Sequence, residues 1–319
     1  MIIKQLIQML ALAPDSAKAY QIMAEANRIS QELTKNKAEI HAQLALNLAP
    51  CPCNCKFCSF AAVNGIFSKS KKINPKMAVS YARQFEQKGA NAIYVMTTAN
   101  YDFGEFMEIS REIRRNLKQE TILVANIGDV NLARAKKVKS AGYQGVYHAV
   151  RLREGIDTGL NHSDRLNSIR AFQEAGLLVG TCVEPIGPEH SNAEIADMIL
   201  LTNSFSPVFS GAARRIPVPC SALEKYGMIS ELRMTQIVAV TRLGLSRKIK
   251  GNCTHEPCTL GVMGGANLLW AEAGANPRDI EEKTEENRGC SIEKCRSIYE
   301  ETDWGLLKGP SIYFSKTIS

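Results

Sequence analysis

From residue 45 onward, short apolar runs alternate with amphipathic stretches, and this alternation restricts the fold more than any other feature. The run at 45–49 leads into a cysteine-rich loop, and NPKMAVSYARQFEQKG (74–89) reads as a helix stopped by a glycine. ANAIYVMTT (90–98) is a buried strand, followed by a helix near 104–117. TILVANIG (121–128) and GVYHAV (145–150) are strands that flank a helix over 130–142. A helix over 163–176, with Ser163 at its N-cap, precedes the strand LLVGTCVEPIG (177–187). Further pairs follow: AEIADMILLTNSF with PVFSGA, and SELRMTQIVAVTRLG with KIKGNC. Continuous apolar strands of this length belong in a parallel sheet covered on both faces. Repeated βα units then leave a parallel α/β barrel or a doubly wound sheet. The recurring helix–Gly–strand junctions in KGANA, SAGYQG and EAGLLVG favour a regular barrel. The expected organisation is an N-terminal helical extension (1–42), a (βα)8 barrel (43–270) and a cysteine-bearing C-terminal tail (271–319).

Size and composition agree with a large globular core: 319 residues, 45% hydrophobic and 22% charged. No apolar run approaches the roughly 18 residues of a membrane span. The N-terminal MIIKQLIQMLALAP has a lysine before apolar residues, as a signal peptide would, but Gln5 and Gln8 interrupt the run. That spacing suits an amphipathic helix packed on the body of the protein. The net charge of +7 is dispersed, and the densest basic run (Lys69, Lys71, Lys72) lacks interleaved aromatics. A solvated loop is expected there rather than a nucleic-acid surface. Ten cysteines without a secretion signal point to a cytoplasmic chain whose thiols are ligands or catalysts.

In barrels of this kind chemistry gathers at the C-terminal ends of the strands, and CPCNCKFCSF (51–60) lies just there, after the first strand. A zinc knot, a redox dithiol and an iron–sulfur cluster compete for it. Zinc normally takes two separated short pairs, or a pair with histidines. A dithiol uses only Cys55 and Cys58. Cys51, Cys55 and Cys58, spaced C-x3-C-x2-C, can instead hold three corners of a [4Fe–4S] cube, leaving one iron open. Cys53 falls on neither spacing. On this motif and the βα repeats after it, the chain resembles the radical S-adenosylmethionine (SAM) superfamily. Phe57 matches that family's aromatic before the last cysteine.

The resemblance implies a [4Fe–4S] cluster on Cys51, Cys55 and Cys58 that chelates SAM, and a 5′-deoxyadenosyl radical that abstracts hydrogen from an unactivated carbon. It places Thr97 and Thr98 near the methionine amine and Arg151, Arg153 and Glu154 at the mouth. Arg165 stands where biotin synthase-like members hold the SAM carboxylate, and Glu184 and Ile186 where a loop contacts adenine. Each of these residues is also an ordinary helix cap or surface charge. Asn126, His148, Arg214 and Arg215 near strand ends are candidates for a substrate carboxylate or ureido group, or are structural polar residues.

GVMGGANLLW (261–270) is similar to the biotin synthase group. That group's familiar [2Fe–2S] cluster uses cysteines on strands two, three and five and an arginine on strand eight. Strands two and three here lack cysteine, only Cys182 lies near the fifth-strand position, and Lys250 stands roughly at the arginine's place. Cysteines recur late instead, in NCTHEPC (Cys253, Cys258) and GCSIEKC (Cys290, Cys295), with His255 and Cys220 as further candidates. These four thiols are expected to hold an auxiliary [4Fe–4S] cluster, or a zinc clasp on the tail. The resemblance implies sulfur insertion into dethiobiotin, a small molecule. Reduced flavodoxin or ferredoxin would donate electrons, a homodimer is allowed, and neither nucleic acid nor membrane is a partner. Lipoyl formation on a carrier protein, carbon-skeleton rearrangement as in methylornithine synthase, and a non-enzymatic metal-stabilised binding module are the alternatives.

Overall fold

The computed structural model describes residues 1–315. Its centre is a closed barrel of eight parallel strands. They are β1 (Lys37–Ala45), β2 (Ala92–Met96), β3 (Ile122–Asn126), β4 (Gly145–Tyr147), β5 (Leu178–Gly180, resuming at Val183–Ile186), β6 (Phe209–Arg214), β7 (Gly251–Thr254) and β8 (Leu268–Ala273). Each strand pairs with its successor in parallel, and β8 closes on β1 with Glu39 opposite Leu268. The barrel therefore starts at Lys37 and ends at Ala273, a little outside the expected bounds at each end.

The strand expected at 45–49 begins earlier because its first half is polar. Along β1, Ala38, Ile40, Ala42 and Leu44 pack into the helix-facing layer, while Glu39, His41 and Gln43 point the other way. Glu39 and His41 are fully buried inside the barrel, where each finds a hydrogen-bond partner. His41 Nε2 lies 2.7 Å from Glu39 Oε2, and Nδ1 lies 2.8 Å from the Tyr94 hydroxyl. A buried polar group that is satisfied in this way is tolerated. The sequence at 47–48 forms a separate two-residue strand paired with Lys71–Lys72.

Helices cover the barrel where capping residues start them. Asn74 accepts from the Met77 N–H before α3 (Pro75–Gln87), and Asp102 accepts from the Glu105 N–H before α4 (Phe103–Arg115). Asn131 caps α5 (Leu132–Ser140), and α6 (His162–Glu174) is capped by Asn161 rather than the expected Ser163. Ser191 and Glu194 form a capping box on α7 (Asn192–Ser204), and Ser230 caps α8 (Glu231–Gly244). The N-terminal extension folds as α1 (Ile3–Leu10) and α2 (Ala17–Thr34). As expected, α1 is amphipathic and buries Leu6 and Leu10 in the core. Each buried leucine contributes about 2 kcal/mol of apolar burial. Short α9 (Thr259–Met263) and α10 (Ile292–Glu300) complete the outer layer.

The lumen is packed mainly with aromatic rings. Tyr94, Tyr147, Phe209 and Trp270 meet Tyr313 and Phe314, which the tail inserts at the N-terminal end of the barrel. Gly305–Leu306 first pairs with the start of β1, and the Ile312 N–H then donates to Glu39 Oε1 at 2.9 Å. Gly145 makes room for this plug, because a Cβ there would sit 2.2 Å from Phe314 Cε1. The barrel is thus closed below and open above.

Candidate active site

The cysteine loop crosses the open end and is held by backbone hydrogen bonds to its neighbours. The Cys51 N–H donates to the Phe60 carbonyl (2.7 Å) and the Ser59 N–H to the Pro277 carbonyl beyond β8 (2.9 Å). The Lys56 N–H donates to Asp157 O (2.8 Å), and Gly159 donates to Cys53 O (2.6 Å) in the segment after β4. A side chain at Gly159 would strike that Cys53 carbonyl, with the Cβ at 2.9 Å. Asn64 Nδ2 donates to Cys58 O at 2.8 Å. The loop is therefore tied to both sides of the mouth by chain that carries no ligand thiol.

Cys51, Cys55 and Cys58 all line one cavity over the lumen, with Phe57 among its walls. Cys53 lines it too, and the neighbouring Cys51 and Cys53 thiols shift each other, Cys51 downward and Cys53 upward. Burial raises Cys55, and pushes Cys58 up to about 12. Two of the three thiols therefore stay protonated unless a cation replaces their protons, and thiolate-bound iron does that. The donor set and its spacing fit the implied cluster.

Five arginines and three carboxylates line the cavity, and every one of those arginines except Arg151 is hydrogen-bonded to a carboxylate. Of the SAM-site candidates, Thr97, Thr98, Arg151, Arg165 and Glu184 reach this cavity. The Thr98 hydroxyl already accepts from Asn47 Nδ2 (2.8 Å), while its N–H donates to Asn47 Oδ1 (3.0 Å). Arg165 is 4% exposed and anchored by Asp129 Oδ1 (3.0 Å) and the Ala149 carbonyl (2.7 Å). The Arg151 guanidinium makes no hydrogen bond among the described residues and stands 4.0 Å from Glu184 Oε1. It is the freer of the two forks for a carboxylate. Glu154 accepts from the Arg151 N–H (3.0 Å), whereas Arg153 turns outward to Glu194 (2.6 Å). Ile186 is the exception: it is fully buried and packs toward the helices rather than the cavity. The expectation that it meets adenine is corrected: the register of β5 is irregular between Val183 and Ile186, so Ile186 does not share the cavity-facing side of Glu184.

The other polar candidates also separate. Asn126 Nδ2 donates to Gln43 Oε1 at 2.8 Å, and both amides face the cavity. His148 Nε2 lies 2.9 Å from Asp129 Oδ1, and burial together with Arg165 lowers its pKa to about 4. Neutral His148 thus donates to Asp129, which orients Arg165. Arg214 pairs with Glu256 and Arg215 with Glu189, so both enter the site already neutralised.

The four late cysteines do not form one set. Cys253 points into the lumen among the aromatic rings, whereas Cys258, Cys290 and Cys295 pack in the helix-facing layer. Cys258 caps α9, accepting from the Gly261 N–H at 3.3 Å. Cys290 and Cys295 face each other, 3.6 Å between sulfurs, with Cys295 also at the Trp270 carbonyl. The barrel wall stands between these and Cys253, which corrects the expected shared auxiliary cluster. Cys220 is exposed. The neighbour of Cys253 is Cys182 on the far side of β6, its sulfur 3.8 Å away. Sequence spacing gave no sign of this pair, since 71 positions separate its members. Inward-facing Gln43 and Glu272, and Arg278, whose Nη2 donates to both Glu272 carboxylate oxygens (2.7 and 2.9 Å), were also missed.

A closed parallel barrel with a C-x3-C-x2-C loop at its mouth is the arrangement of radical SAM enzymes, which this chain resembles. No family model matches the chain. It is 25% identical over 255 residues to the biotin synthase of Ehrlichia canis (strain Jake), covering 75% of this chain and 78% of that one. It is 22% identical over 251 residues to the biotin synthase of Clostridioides difficile (strain 630), covering 75% and 76%. Among solved structures it resembles methylornithine synthase (PylB), with a TM-score of 0.79, 15% identity and 96% and 94% coverage. It also resembles the FeFe-hydrogenase maturase HydG from Carboxydothermus hydrogenoformans, with a TM-score of 0.75, 20% identity and 95% and 78% coverage. The chain is thus similar in sequence to biotin synthases and in fold to methylornithine synthase and HydG. No helix among the described residues is long and apolar enough to cross a membrane.

Proposed function

We propose that the enzyme inserts sulfur into an unactivated carbon chain, with dethiobiotin as its substrate. The observation that carries this reading is a single cavity joining the three cluster thiols to arginines, an amide pair and a thiol-bearing lumen. When bound, the cluster and SAM supply a 5′-deoxyadenosyl radical. The residues of the chain bind and orient. Arg151 receives a carboxylate, with Arg165 held beside it by Asp129 and the Ala149 carbonyl. Gln43 and Asn126 offer one donor-and-acceptor pair suited to a ureido group. The aromatic floor and its Phe314 plug exclude water from below, so that a reactive intermediate meets carbon rather than solvent.

Electrons would come from reduced flavodoxin or ferredoxin, and a cytoplasmic location suits ten free thiols. Lipoyl formation would need a docked carrier protein. Rearrangement of the methylornithine synthase kind would leave the lumen thiols without a role. Incubating reduced enzyme with SAM and added sulfide, together with dethiobiotin or with an octanoylated carrier protein, separates these readings. A sulfur-bearing product from dethiobiotin with concurrent 5′-deoxyadenosine is expected, and Cys55→Ala should abolish both. Turnover of the carrier protein alone would refute the dethiobiotin assignment, and absence of the nucleoside would refute the enzymatic one.

A further inference from the structure

Beneath the cavity, three soft or borderline ligands converge from separate strands. Cys182 follows the first part of β5, Cys253 lies on β7, and His255 follows β7 directly. One ligand atom from each lies within 4.8 Å of the others. Both cysteines are fully buried, and His255 lines the cavity above them. The ring of His255 is fixed by stacking on Trp270, 4.6 Å between centroids at 30°, and by Tyr147 at 5.3 Å. Its Nε2 is buried without a hydrogen-bond partner among the described residues. A buried unpaired imidazole nitrogen beside two thiols is a costly arrangement unless a ligand completes it.

The spacing of the sulfurs is compatible with a single ion as that ligand. Two thiolates on one tetrahedral ion with metal–sulfur bonds of about 2.3 Å lie about 3.75 Å apart. The Cys182 and Cys253 sulfurs are 3.8 Å apart. Cysteines at different corners of a cube are held well beyond that by the cube itself. We propose that Cys182, Cys253 and His255 bind a single divalent metal ion of the zinc or ferrous type, distinct from the SAM-binding cluster. Two thiolates balance the charge of the ion, so the buried site is neutral. Three protein ligands leave a fourth position, as in metal sites that exchange a ligand, and the cavity reaches it past His255. A water or a small soft anion such as hydrosulfide fits there. This inference rests on the radical SAM reading only for the identity of the neighbouring cluster.

The test uses cobalt as the probe on full-length chain carrying Cys51→Ser, Cys55→Ser and Cys58→Ser, purified under reducing, anaerobic conditions. Expected are about one cobalt per chain, thiolate-to-cobalt charge transfer and the ligand-field bands of a tetrahedral ion. Adding Cys182→Ser or Cys253→Ser should at least halve the charge-transfer bands and both together should remove them, and His255→Ala should weaken binding at least about tenfold. Circular dichroism checks that the variants remain folded. No bound cobalt, a Cys182–Cys253 disulfide under these conditions, or a signal that survives both serine changes but is lost with Cys290→Ser would overturn the proposal. Formation of 5′-deoxyadenosine by the unaltered enzyme is scored separately, so failure of the radical reading leaves the cobalt result standing.

Discussion

Gly180 and Phe209 make a sharp test of how tightly the lumen is filled. An added Cβ at Gly180 would lie 2.1 Å from Phe209 Cε1 and 2.3 Å from Cζ, and its three nearest atoms all belong to that ring. The ring cannot simply rotate away, because Tyr147, Trp270 and Phe314 surround it at centroid distances of 6.2, 5.4 and 6.1 Å. Overpacking in such a site costs about 3 kcal/mol, the upper part of the usual range. Phe209→Leu alone removes the atoms that would clash and costs about 1.5 kcal/mol. With an unfolding entropy near 2 cal/mol/K per residue, about 3 kcal/mol lowers the melting temperature by about 4–5 °C in a chain of this length. Gly180→Ala should therefore melt about 4 °C lower, while the double variant melts no lower than Phe209→Leu alone, giving a coupling of about 3 kcal/mol. Differential scanning fluorimetry of the four proteins measures this directly. Simple addition of the two single effects, or a silent Gly180→Ala, would refute the described packing.

Three further outcomes follow from the same geometry. Phe314→Ala opens the plug and should cost about 3–5 kcal/mol. It should also raise the yield of 5′-deoxyadenosine per product, read by chromatography, while Ile312→Ala, at a half-buried neighbour, should do less. Arg151→Ala should raise the KM for SAM by about ten- to a hundredfold, the worth of a charged hydrogen bond, with a smaller effect on kcat. His148 has a folded-state pKa lowered to about 4, so protonation favours the unfolded chain. Its contribution is complete above about pH 6.5 and is lost as pH falls toward 4, by about 2 kcal/mol between pH 7 and 5. Urea midpoints at the two pH values should show this loss, and His148→Gln should reduce it.

The cluster loop and the helix–glycine–strand rhythm were legible because each is written locally, in C-x3-C-x2-C and in junctions such as SAGYQG. β1 was misplaced because barrel lumens admit paired polar residues: Glu39 and His41 satisfy each other inside, and this masked the strand. Ile186 was assigned by loop position, but the irregular stretch of β5 between Val183 and Ile186 turns it from the side that Glu184 faces. The C-x4-C spacing misled for a similar reason. Cys253 belongs to a strand and Cys258 to a helix cap, so their nearness in sequence does not survive the turn between them. Cys182 and Cys253 are brought together only by barrel closure through β6.

The clamps on the cysteine loop bear on how the enzyme is loaded and repaired. Its main chain is fastened to Asp157, Gly159 and Pro277 and internally to Phe60, so the three thiols are presented by chain already in place. A zinc finger, by contrast, has no such frame until its ion arrives. Iron delivered to this protein meets a finished socket. Exposure to oxygen should strip the cluster and leave a folded, refillable shell.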